Sequence, residues 1–438
     1  MELENLSTFR IAVIDQNGQW RGKRVPGSYA SKLNNGGLRM PLSASNVDIW
    51  GTDTVGSPRV FESGDGDGPL YATGRGPVPM PWLENATALV PMWLFTDDGA
   101  PFEGDPRHAL ASVLKRYENK GLTVIAATEM EFTLVDDSGA ALVPPKHPIN
   151  GRRLNTSSVV ALDELDAFDA FFTDIYDCSA QMGIPAQTAV TEAGIGQFEV
   201  TLNHQDAMRT ADDAVLFKTL VRGLARKHGM AATFMAKPYA DDAGNGMHVH
   251  FSVLDQAGNN VFNNETEEGS DTLRHAVAGC LAAMSASTLI FAPHGNSYDR
   301  MVSSAHAPTS VCWGYENRTA AIRIPGGPNV ARRVEHRVAG GDINPYLMLA
   351  VVLGAAIEGM DSKMQPPAPI TGNAYEQQLP QLAPDWTSAI DSFENDPMIA
   401  RILPQELIRD LAMTKRQEMR EMVNIAPHEQ WQTWLERV

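Results

Sequence analysis

Apolar and polar residues alternate at two different periods along this chain, and the change falls near residue 105. Ahead of it, RIAVIDQNGQWRGKRV has the two-residue period of a strand on either side of a QNG turn. The stretch that follows is rich in Gly and Pro and shows little helical periodicity. From Asp105 the pattern lengthens. DPRHALASVLKRYENKG spaces its apolar residues for an amphipathic helix, with Asp105 and Pro106 as the start signal and Gly121 as the stop. LTVIAATEMEFTLV then reads as a strand, LDELDAFDAFFTDIYDCSAQMG as one helix, and AVTEAGIGQFEVTL as a strand pair. Further helices are predicted at ADDAVLFKTLVRGLARKHG and NPYLMLAVVLGAAIEGM. The chain is therefore expected to divide into a small β-rich domain, 1–104, and a large α+β body, 105–438. No short-period repeat or low-complexity segment interrupts it.

Composition narrows the function. A chain of 438 residues that is 43% hydrophobic can bury a large core. Asp and Glu outnumber Lys and Arg by 53 to 35, for a net charge of -18, which argues against nucleic acid as a partner and for a small substrate. Cys178, Cys280 and Cys312 are too few and too scattered for a disulfide framework or a thiolate metal cluster. The opening MELENLSTFRIAVID has neither a basic nor an apolar leader segment, and no run approaches about 20 apolar residues, so a cytoplasmic protein without a membrane span is expected.

The strands carry the candidate chemistry. In ATEMEFTLV, Glu129 and Glu131 share one face while Met130 and Phe132 point to the other. Like charges about 6 to 7 Å apart on an otherwise apolar strand are costly unless a cation sits between them. In GNGMHVHF, His248 and His250 share a face by the same alternation, as do Glu335 and Arg337 in RRVEHRV. Glu192 and Glu199 flank AGIGQF, which can fold them toward each other. Any one of these motifs taken alone fits a solvated sheet face, an edge strand or a satisfied core histidine. Together they suggest an oxygen-rich divalent metal site, with more than one ion, suited to Mg²⁺ or Mn²⁺. Arg318, Arg323, Arg332 and Arg333 converge on the same stretch as Glu335, and arginines beside metal carboxylates suit polyphosphate chemistry.

The ordered set EME, EAGIGQFE, GNGMHVH, NSYDR, NRTAAIRIP and EHR followed by NPYL resembles the glutamine synthetase family from about Asp105 onward, and more weakly before it. The resemblance implies an α+β fold, with a small N-terminal β-grasp domain, a catalytic domain built on a curved antiparallel sheet, and stacked rings, a dodecamer, with active sites between neighbouring subunits. It implies ATP as co-substrate and L-glutamate as acid substrate. One metal is expected among Glu131, Glu192 and Glu199, the second among Glu129, His248 and Glu335. His250, Ser252, Arg323 and Arg333 are expected at the nucleotide, with Arg318 and Arg323 on the transferred phosphoryl group. Arg300, Arg337 and Gly244 are expected at glutamate.

Two departures concern the second substrate. His306 stands where the family carries a glutamate after the NSY-R motif, and Trp50, counted back without gaps from FES at 61–63, stands where it carries an ammonium-binding aspartate; Asp48 and Asp53 lie close by. An indole and an imidazole suit an amine with carbon attached better than ammonium. The catalytic set is therefore expected to be Arg318, Glu335, His306 and Trp50, in a γ-glutamylamine synthetase acting on an alkylamine or polyamine. The alternatives are an ammonia-using glutamine synthetase and a non-catalytic sensor of glutamate or nucleotide.

Overall fold

A computed structural model of the chain describes residues 2–60, 62–302 and 307–438. Six strands form the first sheet: β1 (Thr8–Ile14), β2 (Trp20–Pro26), β3 (Leu38–Pro41), β4 (Asp67–Ala72), β5 (Val78–Pro79) and β6 (Ala88–Leu94). Their order is β2-β1-β6-β4-β3, with β5 against β6. The predicted hairpin is β1–β2, in register from Thr8↔Pro26 to Ile14↔Trp20. Its turn is held by Asp15, whose Oδ1 accepts the Asn17 and Gln19 N–H groups, with Gly18 at φ +78.

Asp105 caps the helix Pro106–Glu118 by accepting the Arg107 N–H. Beyond it lies an eight-stranded sheet: β7 (Thr123–Val135), β8 (Ala186–Thr191), β9 (Gln197–Asp206), β10 (Ala231–Thr233), β11 (Met247–Leu254), β12 (Trp313–Tyr315), β13 (Ile322–Ile324) and β14 (Val334–His336). Its order is β12-β13-β14-β11-β7-β9-β8, with β10 also on β7. The fold is α+β, as expected. The sheets are not wholly antiparallel, however, because β1 runs parallel to β6 and β12 to β13.

The core lies on one face of the large sheet. Met130, Phe132 and Leu134 of β7, Phe198, Val200 and Leu202 of β9, and Val249, Phe251 and Val253 of β11 are all buried there. Helices Asp169–Met182, Ala207–Lys227 and Pro345–Asp361 contribute to the same core. Ala12, Ile14, Val78 and Leu89 of the first sheet join it, so no solvent layer separates the two sheets. Residues 162–182, expected as one helix, form two, Leu162–Ala167 and Asp169–Met182. They break at Phe168, whose ring turns into the core edge-on to Phe198 at 5.4 Å. No helix among the described residues is long and apolar enough to cross a membrane.

Candidate active site

The alternation that buries one face of the large sheet leaves Glu129 and Glu131 (β7), Gln197 and Glu199 (β9), and His248, His250 and Ser252 (β11) on the other. Strand register then sets who meets whom. His248 lies opposite Glu129, Glu199 opposite Glu131, Glu335 opposite His250, and Arg323 opposite Glu335. Directly opposed Cβ atoms are only about 4.5–5.5 Å apart, so these side chains are in reach of one another.

Glu129 is the hub. Its two oxygens lie 2.9 Å from His248 Nδ1 and 3.0 Å from His250 Nε2. Arg333 Nε donates to His250 Nδ1 at 3.3 Å, which makes the other nitrogen of that ring the donor to Glu129. A His248 that donates through Nδ1 keeps a lone pair on Nε2, and that atom is buried with no partner among the described residues. Glu335 accepts from Arg323 Nη1 at 2.7 Å and from Arg337 Nη1. Glu131 accepts the Gly246 N–H at 2.6 Å and Gln197 Nε2 at 3.2 Å.

The charges are unevenly met. Burial alone would raise Glu129, but the bonds from His248 and His250 outweigh it and hold the carboxyl well below its ordinary range. Burial likewise opposes ionisation of Glu335, and Arg337 with the two imidazoles reverses it. Glu192 and Glu199 lack such partners. Burial, then the charges of Glu131 and Glu129, push Glu192 up to about 7. Burial, then Glu129, Glu131 and Glu192, push Glu199 up to about 9. A buried imidazole lone pair beside carboxylates whose mutual repulsion outweighs the nearby positive charge is a donor set that fits a hard divalent cation.

Among the described residues two groups bring three possible ligand atoms within 4.8 Å of one another: Glu129, Glu199 and His248, and Glu129, His250 and Glu335. The grouping differs from the expected one. Glu129 belongs to both sets, and His250 rather than His248 stands with Glu335, because register places those two opposite each other. Glu192 comes to the site as the AGIG segment turns back, with its N–H on Gln197 O at 3.0 Å.

The arginines separate by face. Arg333, Glu335 and Arg337 follow the two-residue period onto the site, whereas Arg332 points away and donates to Asn329 Oδ1 at 2.9 Å and to the carbonyls of Pro325 and Thr266. Arg332 is therefore a loop anchor and does not converge on the site. Arg300 is buried and donates to Val338 O at 2.9 Å. Arg318 is exposed, and its charge reaches Glu192. The Nε atoms of Arg323 and Arg337 are buried with no partner among the described residues. Gly246, two residues beyond the expected Gly244, lies closer to the polar ends of the site's side chains: a Cβ there would stand 2.7 Å from Arg300 Nη2 and 3.2 Å from His248 Nε2. At Gly244 it would instead meet Ala236 O at 2.2 Å and Arg300 Cγ at 3.1 Å. Gln197, which ties Glu131 to the Gly244 carbonyl, was not foreseen, although its two-residue spacing from Glu199 places it on the same face.

Beside the carboxylates opens a cavity of about 650 Å³ whose lining includes Glu129, His250, Ser252, Leu254 and Arg333. Trp50 does not line it. That indole is half-buried against Ile49, Met235, Met422, Trp434 and Val438. His306 lies outside the described residues.

This sheet face defines a class. The family model described as "Glutamine synthetase, catalytic domain" matches residues 103–434. The chain belongs to the glutamine synthetase family and is a ligase. It is 35% identical over 413 residues to gamma-glutamylputrescine synthetase of Escherichia coli (strain K12), covering 93% of this chain and 87% of that protein. It is 31% identical over 436 residues to glutamate–isopropylamine ligase of a Pseudomonas species, covering 96% and 93%. A solved structure described as "GmaS/ADP complex-Conformation 1" superposes with a TM-score of 0.84 at 26% identity, covering 99% of this chain and 97% of that one.

Proposed function

We propose that this chain joins the γ-carboxylate of L-glutamate to a small carbon-bearing amine in an ATP-dependent reaction that passes through γ-glutamyl phosphate. The observation that carries this reading is one sheet face holding under-compensated carboxylates and the orphaned donors of two arginines, next to a cavity of about 650 Å³. A carboxylate is a poor acyl donor. Its oxygen must first take the γ-phosphoryl group of ATP, releasing ADP, so that the amine can displace phosphate. His250, Ser252 and Arg333 would hold the nucleotide in the cavity, and Arg323 and Arg318 would face the transferred phosphoryl group. Arg300 and Arg337 would hold glutamate above Gly246 and Gly244. Glu129, Glu131, Glu192, Glu199, His248 and Glu335 would hold Mg²⁺ or Mn²⁺. Bound there, the ions supply positive charge that offsets the repulsion between carboxylate and phosphate.

Trp50 and His306 would receive the amine, His306 taking the proton that leaves nitrogen. Asp48 is not free for ammonium: its oxygens accept the Trp50 and Thr52 N–H groups and Gln417 Nε2. Both named relatives carry an amine larger than ammonia in their names. Stacked rings, with Trp50 of one subunit serving a neighbour's carboxylates, fit a Trp50 that packs away from its own chain's cavity. The ammonia-using reading is favoured by one observation, the exposed Asp53 on the same turn.

The test is ADP release with ATP, glutamate and an amine panel at matched free-base concentration. Methylamine, isopropylamine, ethanolamine or putrescine should give a higher kcat/KM than ammonium. Preference for ammonium would overturn the alkylamine reading, and no turnover with any amine would leave only binding.

A further inference from the structure

The helix Gln405–Met422 carries a buried stripe that is polar where an apolar one would be expected. Asp410, Thr414, Gln417 and Glu418 are all buried. Burying such groups is costly unless each is paired; here Asp410 is paired with Arg59, and Thr414, Gln417 and Glu418 with the segment around Trp50. Asn46 Nδ2 donates to Thr414 Oγ1 at 2.8 Å, and the Ile49 N–H donates to Glu418 Oε1 at 2.8 Å. Gln417 makes the largest share of the contacts. Its Nε2 donates to Asp48 Oδ2 at 2.8 Å and to Asp53 O at 3.1 Å, and its Oε1 accepts the Val55 N–H at 2.8 Å. Asp48 Oδ1 in turn accepts the Trp50 N–H at 3.0 Å and the Thr52 N–H at 2.9 Å. One carboxamide thus closes both ends of the turn from Asp48 to Asp53. Its donor nitrogen bonds both ends, and its acceptor oxygen holds Val55 just beyond, a combination that no ion or apolar side chain supplies.

We propose that Gln417 is a positioning residue for amine selection, fixing through Asp48 the turn that presents Trp50; this rests on the alkylamine reading above. The helix acts as a template for the turn, and Gln417 itself touches no substrate.

The experiment compares wild type, Gln417→Met, Gln417→Glu, Trp50→Ala and the Gln417→Met/Trp50→Ala double variant. It measures kcat/KM for isopropylamine and ammonium, and KM for ATP and glutamate. Gln417→Met removes every contact, while Gln417→Glu keeps the acceptor for Val55 but sets a second carboxylate against Asp48. Either should lower kcat/KM for isopropylamine about threefold to tenfold, the worth of one or two hydrogen bonds, and change the other constants by less than about twofold. The double variant should be no worse than Trp50→Ala alone, because both changes act on one contact. Equal loss for both amines, a shifted KM for ATP or glutamate, or additive losses would overturn the proposal. If Gln417→Met does not fold, Gln417→Glu decides. If the wild type prefers ammonium, the alkylamine reading itself falls; if Trp50→Ala leaves an alkylamine preference intact, Trp50 does not meet the amine and this inference falls with that assignment. If Trp50→Ala abolishes the preference and the Gln417 variants do not, only this inference falls.

Discussion

Asp212 and Glu199 are both acids set in the interior of this molecule, and their surroundings treat them in opposite ways. Asp212, on the helix Ala207–Lys227, accepts two bonds from Arg107, at 2.9 and 3.0 Å, and one from the Tyr346 hydroxyl at 2.6 Å. The Arg107 guanidinium in turn lies 3.7 Å from the centre of the Trp93 ring. Glu199 sits on the open sheet face among Glu129, Glu131 and Glu192, and is pushed up to about 9 by burial and those charges. Buried charge that the chain itself neutralises is scaffold. Buried charge left unneutralised marks a candidate binding site, because it must take up a proton or an external cation to lose its cost.

The comparison can be broken most forcefully at the scaffold. Asp212→Ala leaves Arg107 buried without its partner and should cost about 3–5 kcal/mol in urea unfolding, with KM values of the folded enzyme unchanged. A loss under about 1 kcal/mol would mean that the pair is not structural.

Glu199→Gln should do the reverse. It should slow turnover by about 10²–10³-fold while raising the Tm of the metal-free protein near neutral pH, since Gln is neutral without the proton that Glu199 must take up on folding. A lower Tm without metal would show that Glu199 was already compensated. The same carboxylates give a pH signature. In the metal-free folded chain Glu192 and Glu199 keep protons up to about 7 and about 9 that the unfolded chain, near 4.5, has already lost. Their contribution to stability is complete below the unfolded value and is lost as pH rises through the folded ones. Thermal melts of metal-free protein should therefore fall between about pH 4.5 and 9, and saturating Mg²⁺ or Mn²⁺ should flatten the fall. Calorimetry in two buffers should detect protons released on metal binding.

Arg337→Ala sharpens the contrast inside the site. It should raise KM for glutamate by the equivalent of about 1.5–3 kcal/mol, and lower kcat as well because Arg337 holds Glu335. Unchanged glutamate kinetics would place its free donor elsewhere. The smallest effect is expected at Trp50→Ala, about 0.5–2 kcal/mol in kcat/KM for an alkylamine, with ammonium little changed. Equal losses for both amines would mean that the indole only packs.

Much of this was legible in the sequence because strand alternation is a local property. EME, HVH and VEHR state which residues share a face, and that statement survives whatever the strand packs against. The Asp105 cap and the β1–β2 hairpin were readable for the same reason, since every group involved lies within a few residues. The break at Phe168 was not, because it follows from a ring meeting Phe198 thirty residues on. Arg332 and Arg333 look alike in composition, and one residue of register turns the first toward Asn329 and the second toward His250.

The sequence by itself determined which side chains share the site's face, the acidic balance, and, through its ordered motifs, the family. Tertiary structure decided the pairing. It set His250 rather than His248 against Glu335, brought Gln197 to Glu131, and laid Gln417 against Asp48 across 369 positions of chain. The physical reason is range. Backbone geometry fixes side-chain direction residue by residue, whereas cross-strand register and helix-to-loop contact depend on how distant apolar surfaces pack, which no short window of sequence contains.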